Sequence, residues 1–377
     1  MLIWRPYFFD TFVAAACLAL VILLLRWASD LGQRYRRPAR ALLGAAAVII
    51  MSTAALAVYR IANLFPNGLV VTVRAIGITT AVFVIYFTLV AFAIRCLPVV
   101  DIRRRHALKV AGLAVAALPA VVAVTAFLKR DDLRVVEIDV PIPGLPKDLH
   151  GLRIVQLTDI HLSPLVSESL LARAIDMANE ARGAIAIVTG DLVSRRGDPL
   201  DVCLRQLARL RSDAGTFGCL GNHEIYADAE GYTQITGKRL GLHFLRGEAQ
   251  PLRFGEATLN LAGVDYQRRG LKYLRGAGGL MLPGATNLLL SHNPDVFSVA
   301  AAQGFDVTLS DHTHGGQVNL EILHPDLNIA RFYTPFVHGL YEAGPKRLFV
   351  SRGIGTIGIP ARLGAPPEVA VLRLCAT

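Results

Sequence analysis

Five short runs in the second half of the chain place His, Asp or Asn directly after an apolar stretch. They are TDIH with Asp159 and His161, TGDLV with Asp191, LGNHE with Asn222 and His223, LLSHNPD with His292, and LSDHTHGGQ with His312 and His314. Oxygen and imidazole nitrogen donors of this kind suit borderline divalent metals. No thiolate accompanies them, which argues against a structural zinc site. One polar residue after a strand is ordinarily a cap or a turn former. Five such runs are hard to explain by turn chemistry, and together they read as one site. Gly190, Gly221, Gly315 and Gly316 fit loops that bend tightly round it. If the segment carrying His312 and His314 is extended, the two imidazoles point the same way.

These residues need strands to present them. From residue 152 onward, short apolar runs alternate with amphipathic ones. LRIVQLTD and AIAIVTGD read as strands that end in a carboxylate. TLNLAGVD, NLLLSHNPD, DVTLSDHTH, RLFVSRG and EVAVLRL are strand-like as well. SESLLARAIDMANEAR has a Ser start and a helical apolar face, and DPLDVCLRQLARLR reads as a second helix opened by Asp-Pro. The pattern predicts an α/β layered domain with polar residues just past the strand ends. VVEIDVPIPGLPKDLHG, before it, carries three prolines and two glycines and reads as a linker or edge segment. The expected organisation is residues 1–130 as a membrane region, 131–150 as linker or edge, and 151–377 as the globular domain.

The first third is of another kind. Of 377 residues, 53% are apolar and only 18% charged, too apolar for a wholly soluble protein. Four apolar runs, at 12–25, 41–58, 75–94 and 110–128, are each near the length of a bilayer crossing with their flanks. Short loops between them carry Arg34, Arg36, Arg37 and Arg40, then Arg103, Arg104, Arg105 and Lys109. The middle loop has only Arg60 and Arg74. The positive-inside rule makes the first and third loops cytoplasmic, so four crossings leave both termini and the globular domain on the extracytoplasmic side of the inner membrane. The RRHALK run also resembles an export signal, and that reading sends the domain outward too.

The net charge of +10 gathers in the same third. Residues 1–134 hold 16 Lys/Arg against 5 Asp/Glu, and residues 135–377 hold 23 against 24. No basic patch is implied for the domain, and no nucleic-acid partner is expected. Cys203, Cys219 and Cys375 could form one bridge and leave one thiol free, and they do not fix the redox compartment.

The ordered motifs D-x-H, G-D, G-N-H-E, S-H and H-x-H, over roughly residues 150–375, resemble the calcineurin-like metallophosphoesterases. The tail LFVSRGIGTIGIPARLGAPPEVAVLRL looks like their membrane-associated bacterial branch. The resemblance implies a sandwich of two β-sheets flanked by helices, with a two-metal centre at the strand ends. It implies that Asp159, His161 and His314 hold one ion, that Asn222, His292 and His312 hold the other, and that Asp191 bridges them. The ions would be two divalent metals among Mn, Zn, Fe or Mg. Such a pair clamps a phosphoryl group and lowers the pKa of a water between the ions. His223 is placed to protonate the leaving oxygen or to support Asp159. One position departs: Asp311 stands where the family usually has glycine, and its carboxylate either orients His312 or points away. Arg195, Arg196, Arg268, Arg269 and Arg352 could meet phosphate oxygens. The membrane region favours a substrate in or near the bilayer, such as a phospholipid or a lipid-linked phosphate. A catalytically silent sensor or scaffold is the alternative, and a transporter is disfavoured because the spans hold almost no charge.

Overall fold

The computed structural model describes residues 5–29, 33–57, 64–96, 118–321, 324 and 326–377. The chain divides into two compact units, Met1–Thr125 with Gly358–Pro360, and Ala126–Ile357 with Ala361–Thr377. The first holds α1 (Arg5–Ala28), α2 (Gln33–Ala57) and α3 (Asn67–Cys96). Cys17, Val21, Ile50 and Val84, drawn from all three, form a buried apolar cluster. Two stretches, Tyr35–Leu56 and Gly68–Ala93, are long and apolar enough to cross a membrane. Ala15–Ala28 and the helix Leu118–Lys129 (α4) are shorter. The expectation of four crossings is therefore met at two helices by length. The first part of the fourth run, residues 110–117, lies outside the described residues, as does the basic run 103–109. The basic run at 34–40 is not a loop but the opening of α2, with Pro38 inside the helix.

The second unit is built on two six-stranded sheets. One has the order β1-β12-β2-β3-β4-β5, with β1 (Arg134–Ile142), β2 (Arg153–Leu157), β3 (Ile185–Val188), β4 (Thr216–Gly218), β5 (Leu242–Phe244) and β12 (Glu368–Ala376). The other has the order β10-β11-β9-β8-β7-β6. Its strands are β6 (Glu248–Phe254), β7 (Ala257–Gly263), β8 (Thr286–Leu290), β9 (Val307–Ser310), β10 (Gly339–Ala343) and β11 (Lys346–Val350). The period-two rule explains the layering. Ile154, Ile185 and Ile187 join Leu259, Leu288, Leu309 and Phe349 in the core between the sheets. Their neighbours Val155, Leu157 and Val188 face outward, where they pack with Leu171, Ile175 and Leu204 from α5 (Glu168–Glu180) and α6 (Leu200–Leu207). On the far face of the second sheet, Ala262 and Leu289 pack with Ala300 of α8 (Phe297–Gln303) and with Phe305. Truncating one of the fully buried leucines or isoleucines to alanine would cost about 2–5 kcal/mol.

Two features place the site. β2, β3, β4 and β5 run parallel to one another, as do β7, β8, β9 and β11. Parallel strands end on the same edge, so their carboxyl-terminal loops gather there. Gln156, wholly buried, then ties the sheets together below that edge, donating to Thr189 Oγ1 at 2.8 Å and Ser310 O at 3.3 Å. Segment 131–150 holds β1, an edge strand paired in parallel with β12, and a short 3₁₀ turn at Lys147–Leu149. β4 and β5, three residues each, escape period-based reading because their pairing comes from their neighbours.

Candidate metal centre

Each motif lies just beyond a strand. Asp159 and His161 follow β2, Asp191 follows β3, and Asn222 and His223 open α7 (Asn222–Tyr226) after β4. His292 follows β8, and His312 and His314 follow β9. Asp159, His161, Asp191, Asn222, His292 and His314 are buried. The backbone is left-handed at Asp159 (φ 47), His161 (φ 49), Asp191 (φ 52), His312 (φ 76) and His314 (φ 50). Each such residue costs about 1–3 kcal/mol and persists only where its surroundings hold it. This corrects the extended reading of the 312–314 segment. Two left-handed turns, and not a pleat, bring its imidazoles to the centre. Asn222 and His223 are likewise helical, so one residue turns the side chains about 100° apart. Gly190 (φ 99) and Gly221 allow the close approach: a Cβ on Gly190 would fall 2.3 Å from Gly221 N, and one on Gly221 only 2.1 Å from Asp191 Oδ1.

Asp191 is the common neighbour. Its Oδ2 lies 3.1 Å from His292 Nε2, 3.5 Å from His161 Nε2 and 3.9 Å from His223 Nε2, while Oδ1 accepts the His223 backbone N–H at 2.9 Å. To one side, His161 Nε2 meets His314 Nε2 at 3.1 Å, and Asp159 Oδ1 stands 3.9 and 3.7 Å from those nitrogens. To the other, His292 Nε2 meets His312 Nδ1 at 3.0 Å. His223 Nδ1 contacts Ser194 O at 2.5 Å, and its ring sits edge-on to His161. Its polar contacts are thus with Asp191 and Ser194, not with Asp159.

The electrostatics suit cations. Burial holds His161 and His314 well below the ordinary imidazole value and takes His312 down to about 3. Two neutral rings whose nitrogens face each other at 3.1 Å make either one N–H···N bond or, with both protons on the far nitrogens, two facing lone pairs that a cation would join. Burial would raise Asp191, but the imidazoles around it, His292 first, hold it well below the carboxylate range. Burial would lower His292, but Asp191 and then Asp311 hold it well above the usual value, and that field favours any cation at its Nε2. Asp159 Oδ1 and Asn222 Oδ1 are buried with no hydrogen-bond partner among the described residues. Buried polar atoms left bare on this scale require an explanation. The donor set, the facing ring nitrogens and these bare oxygens fit one or more divalent ions, and among the described residues four overlapping groups of three His or Asp ligand atoms lie within reach of one ion each.

Supporting residues complete the picture. The Glu224 carboxylate, wholly buried, accepts the N–H groups of Leu192 (2.7 Å), Gly221 (2.8 Å) and Asp191 (3.0 Å), pinning two of the motif loops together. Its signal was the G-x-x-E spacing of a helix-start capping box. Arg362, wholly buried, donates to the carbonyls of Gly353, Gly355, His314, Arg352 and Ala365, and burial lowers it to about 10. Nothing in its local sequence announced it. Asp311 does not address His312: its Oδ1 lies 2.9 Å from His292 Nδ1, which also faces Thr189 O at 2.9 Å. Arg352 is engaged elsewhere, bound to Glu368 at 2.7 Å and to His338 Nδ1 at 3.1 Å. Arg269 alone of the five arginines lines the cavity of about 400 Å³ beside His312 and His314. Cys203, Cys219 and Cys375 are free thiols, so none of the three bridges another.

The sequence is similar to a Danio rerio "transmembrane protein with metallophosphoesterase domain" (32% identity, 63% of this chain, 56% of the relative). It is also similar to an uncharacterized metallophosphoesterase of Campylobacter jejuni (35%, 63% and 62%) and to the Escherichia coli "Phosphodiesterase YaeI" (29%, 59% and 82%). The match therefore spans little more than half of the first two relatives. The profile described as "Calcineurin-like phosphoesterase" matches residues 152–348, which hold every motif residue above. Over half its length, then, and through the two-sheet unit that carries the site, this chain belongs to the calcineurin-like phosphoesterase family.

Proposed function

We propose that this chain is a membrane-anchored, metal-dependent phosphoric ester hydrolase with a dinuclear centre. Asp159, His161 and His314 hold one ion, Asn222, His292 and His312 hold the other, and Asp191 bridges. Bound there, two divalent ions would supply a water acidic enough to attack phosphorus near neutral pH and a clamp for the phosphoryl oxygens. Asp191, kept ionised by the imidazoles around it, draws the two halves together. His223, whose Nε2 stands free of the tight ligand pairs, donates the proton to the leaving oxygen, with Ser194 O orienting the ring through Nδ1. The observation that carries the reading is the pair of bare buried oxygens, Asp159 Oδ1 and Asn222 Oδ1, one on each side of Asp191 in the ligand scheme.

The substrate is a phosphomonoester, phosphodiester or pyrophosphate presented in or near the bilayer. Its support is the pair of helices of membrane-spanning length in the same chain and the transmembrane relative. The first basic run, Arg34 to Arg40, is best explained as cytoplasmic, with four crossings in all and the domain outside. A periplasm-dependent phosphatase reporter fused after Thr377 should be active, and one fused at Arg36 silent. The decisive test of the chemistry is the purified chain, its metal content measured, assayed on chromogenic mono- and diesters and on lipid-linked pyrophosphates with Mn²⁺ added. Bound divalent metal, hydrolysis, and reversible loss of both with a chelator are expected. A chain that binds no metal and cleaves none of these esters would instead be a silent scaffold.

A further inference from the structure

Two exposed loops of unlike character border the cavity beside His312 and His314. The first, YQRRGLKYLRGAGG at 266–279, holds the cations Arg268, Arg269, Lys272 and Arg275 and no acidic residue. All four are exposed, as is Leu271, and among the described residues none of the four forms an ion pair. The domain's near-neutral total concealed this cluster. The second loop, at 327–333, exposes Leu327, Ile329, Phe332 and Tyr333, with Phe332 at 80% and Ile329 at 67%. Tyr266 and Arg269 from the first loop, and Ile329, Ala330 and Tyr333 from the second, line the same cavity.

Large apolar side chains held in water forgo the free energy of burial, so several on one loop mark an interaction surface. A polyanion in water would satisfy the arginines but has no use for Leu271, Leu327 and Ile329, which cannot stack on bases. An acidic bilayer surface satisfies both loops. Basic residues are drawn to its negative surface potential, and apolar residues enter the headgroup boundary. Helices of membrane-spanning length in the same chain keep a bilayer within tether reach.

We infer that the two loops dock the domain on an anionic lipid surface, so that the cavity opens onto the headgroup layer. The inference deepens the phosphoesterase reading and rests on it for what the cavity does, though docking can be measured without it. The test uses the full chain in lipid nanodiscs of phosphatidylcholine alone or mixed with phosphatidylglycerol, the lipids carrying brominated acyl chains. An environment-sensitive dye is placed by Phe332→Cys or, as control, by Glu256→Cys on the β6–β7 turn, whose side chain is 98% exposed. Both are made with Cys96→Ser and Cys375→Ser. Lipid quenching at position 332 should exceed that at 256 several-fold. It should weaken without phosphatidylglycerol, in high salt, and in the Lys272→Glu/Arg275→Glu protein. That protein should hydrolyse a water-soluble chromogenic diester as before. Equal quenching at both positions overturns the inference, as does a dye at 332 that answers an added oligonucleotide or polyglutamate but not anionic lipid. Quenching as expected, with no hydrolysis of the soluble ester in any form, upholds the docking and overturns the phosphoesterase reading.

Discussion

The two sides of the centre are backed by opposite charges. Behind His292, on the side of the second sheet, stands the buried carboxylate of Asp311, 2.9 Å from Nδ1. Behind His314 stands the buried guanidinium of Arg362, with Nη2 3.4 Å from its Nδ1. An imidazole that binds a cation through one nitrogen keeps its proton on the other. A carboxylate beside that nitrogen makes the ring a better donor, with the Thr189 carbonyl also facing Nδ1 at 2.9 Å, whereas a guanidinium brings a second proton and a positive charge. The difference teaches that a near-symmetric set of ligands need not give two equal ion positions. In the proposed scheme, the ion on His292 and His312 is held more tightly, and the ion on Asp159, His161 and His314 exchanges more readily. A chelator titration should then remove metal in two steps.

The largest effect should come from removing what both sides share. Asp191→Ala should bind nearly no metal and lose hydrolysis, while His161→Ala and Asn222→Ala each keep part of the metal by elemental analysis. Equal metal content in all three would break the bridging assignment. His223→Ala leaves every proposed ligand in place, so metal content should hold while kcat falls by roughly 10²–10⁴. The loss should shrink for nitrophenol esters, whose leaving group needs no proton. Metal lost in step with activity would make His223 a ligand. Arg362→Met strips the partner from several buried carbonyls at once, and should lower unfolding stability by more than about 3 kcal/mol in denaturant titration. Stability that scarcely changes would show that these carbonyls do not depend on Arg362. Asp311→Asn removes the charge behind His292 and should weaken the tighter ion by about 10–100-fold, merging the two chelation steps. Persistence of two steps would show that the asymmetry lies elsewhere. The smallest effect concerns the cysteines. Burial pushes the Cys203 and Cys219 thiols well above their ordinary value, so both should resist alkylation in the native protein while the partly exposed Cys375 reacts.

Much of this architecture was legible without coordinates, for physical reasons that can be named. A strand with one face on a helix layer and the other on a second sheet must be apolar throughout. LRIVQL, AIAIV and NLLLS are mostly apolar on both faces, the buried Gln156 being the hydrogen-bonded exception, and β2, β3 and β8 lie there. The motif residues sit within a few positions of those strand ends, so their order in the chain already predicted their gathering at one edge. Ser167 announced α5, and its hydroxyl accepts the Leu170 N–H at 3.2 Å.

What sequence could not supply were contacts between residues far apart in the chain and conformations that tertiary packing imposes. A left-handed backbone at His312 and His314 runs against local preference and is held by the loops around it, so the extended reading was the natural error. Asp311 lies beside His312 in sequence yet serves His292, nineteen positions earlier, because β8 and β9 are parallel neighbours in the sheet. Arg362 became a buried anchor only when the carbonyls of Gly353, Gly355 and His314 closed round it, and the cations at 268–275 became a surface only when their loop met the cavity rim. The sequence by itself determined which atoms could bind a metal and which strands would carry them, since both follow from residue type and local period. Which charge stands behind each imidazole, and which side chains remain in water, was decided by the tertiary structure, because both depend on residues brought together only by the packing of the two sheets.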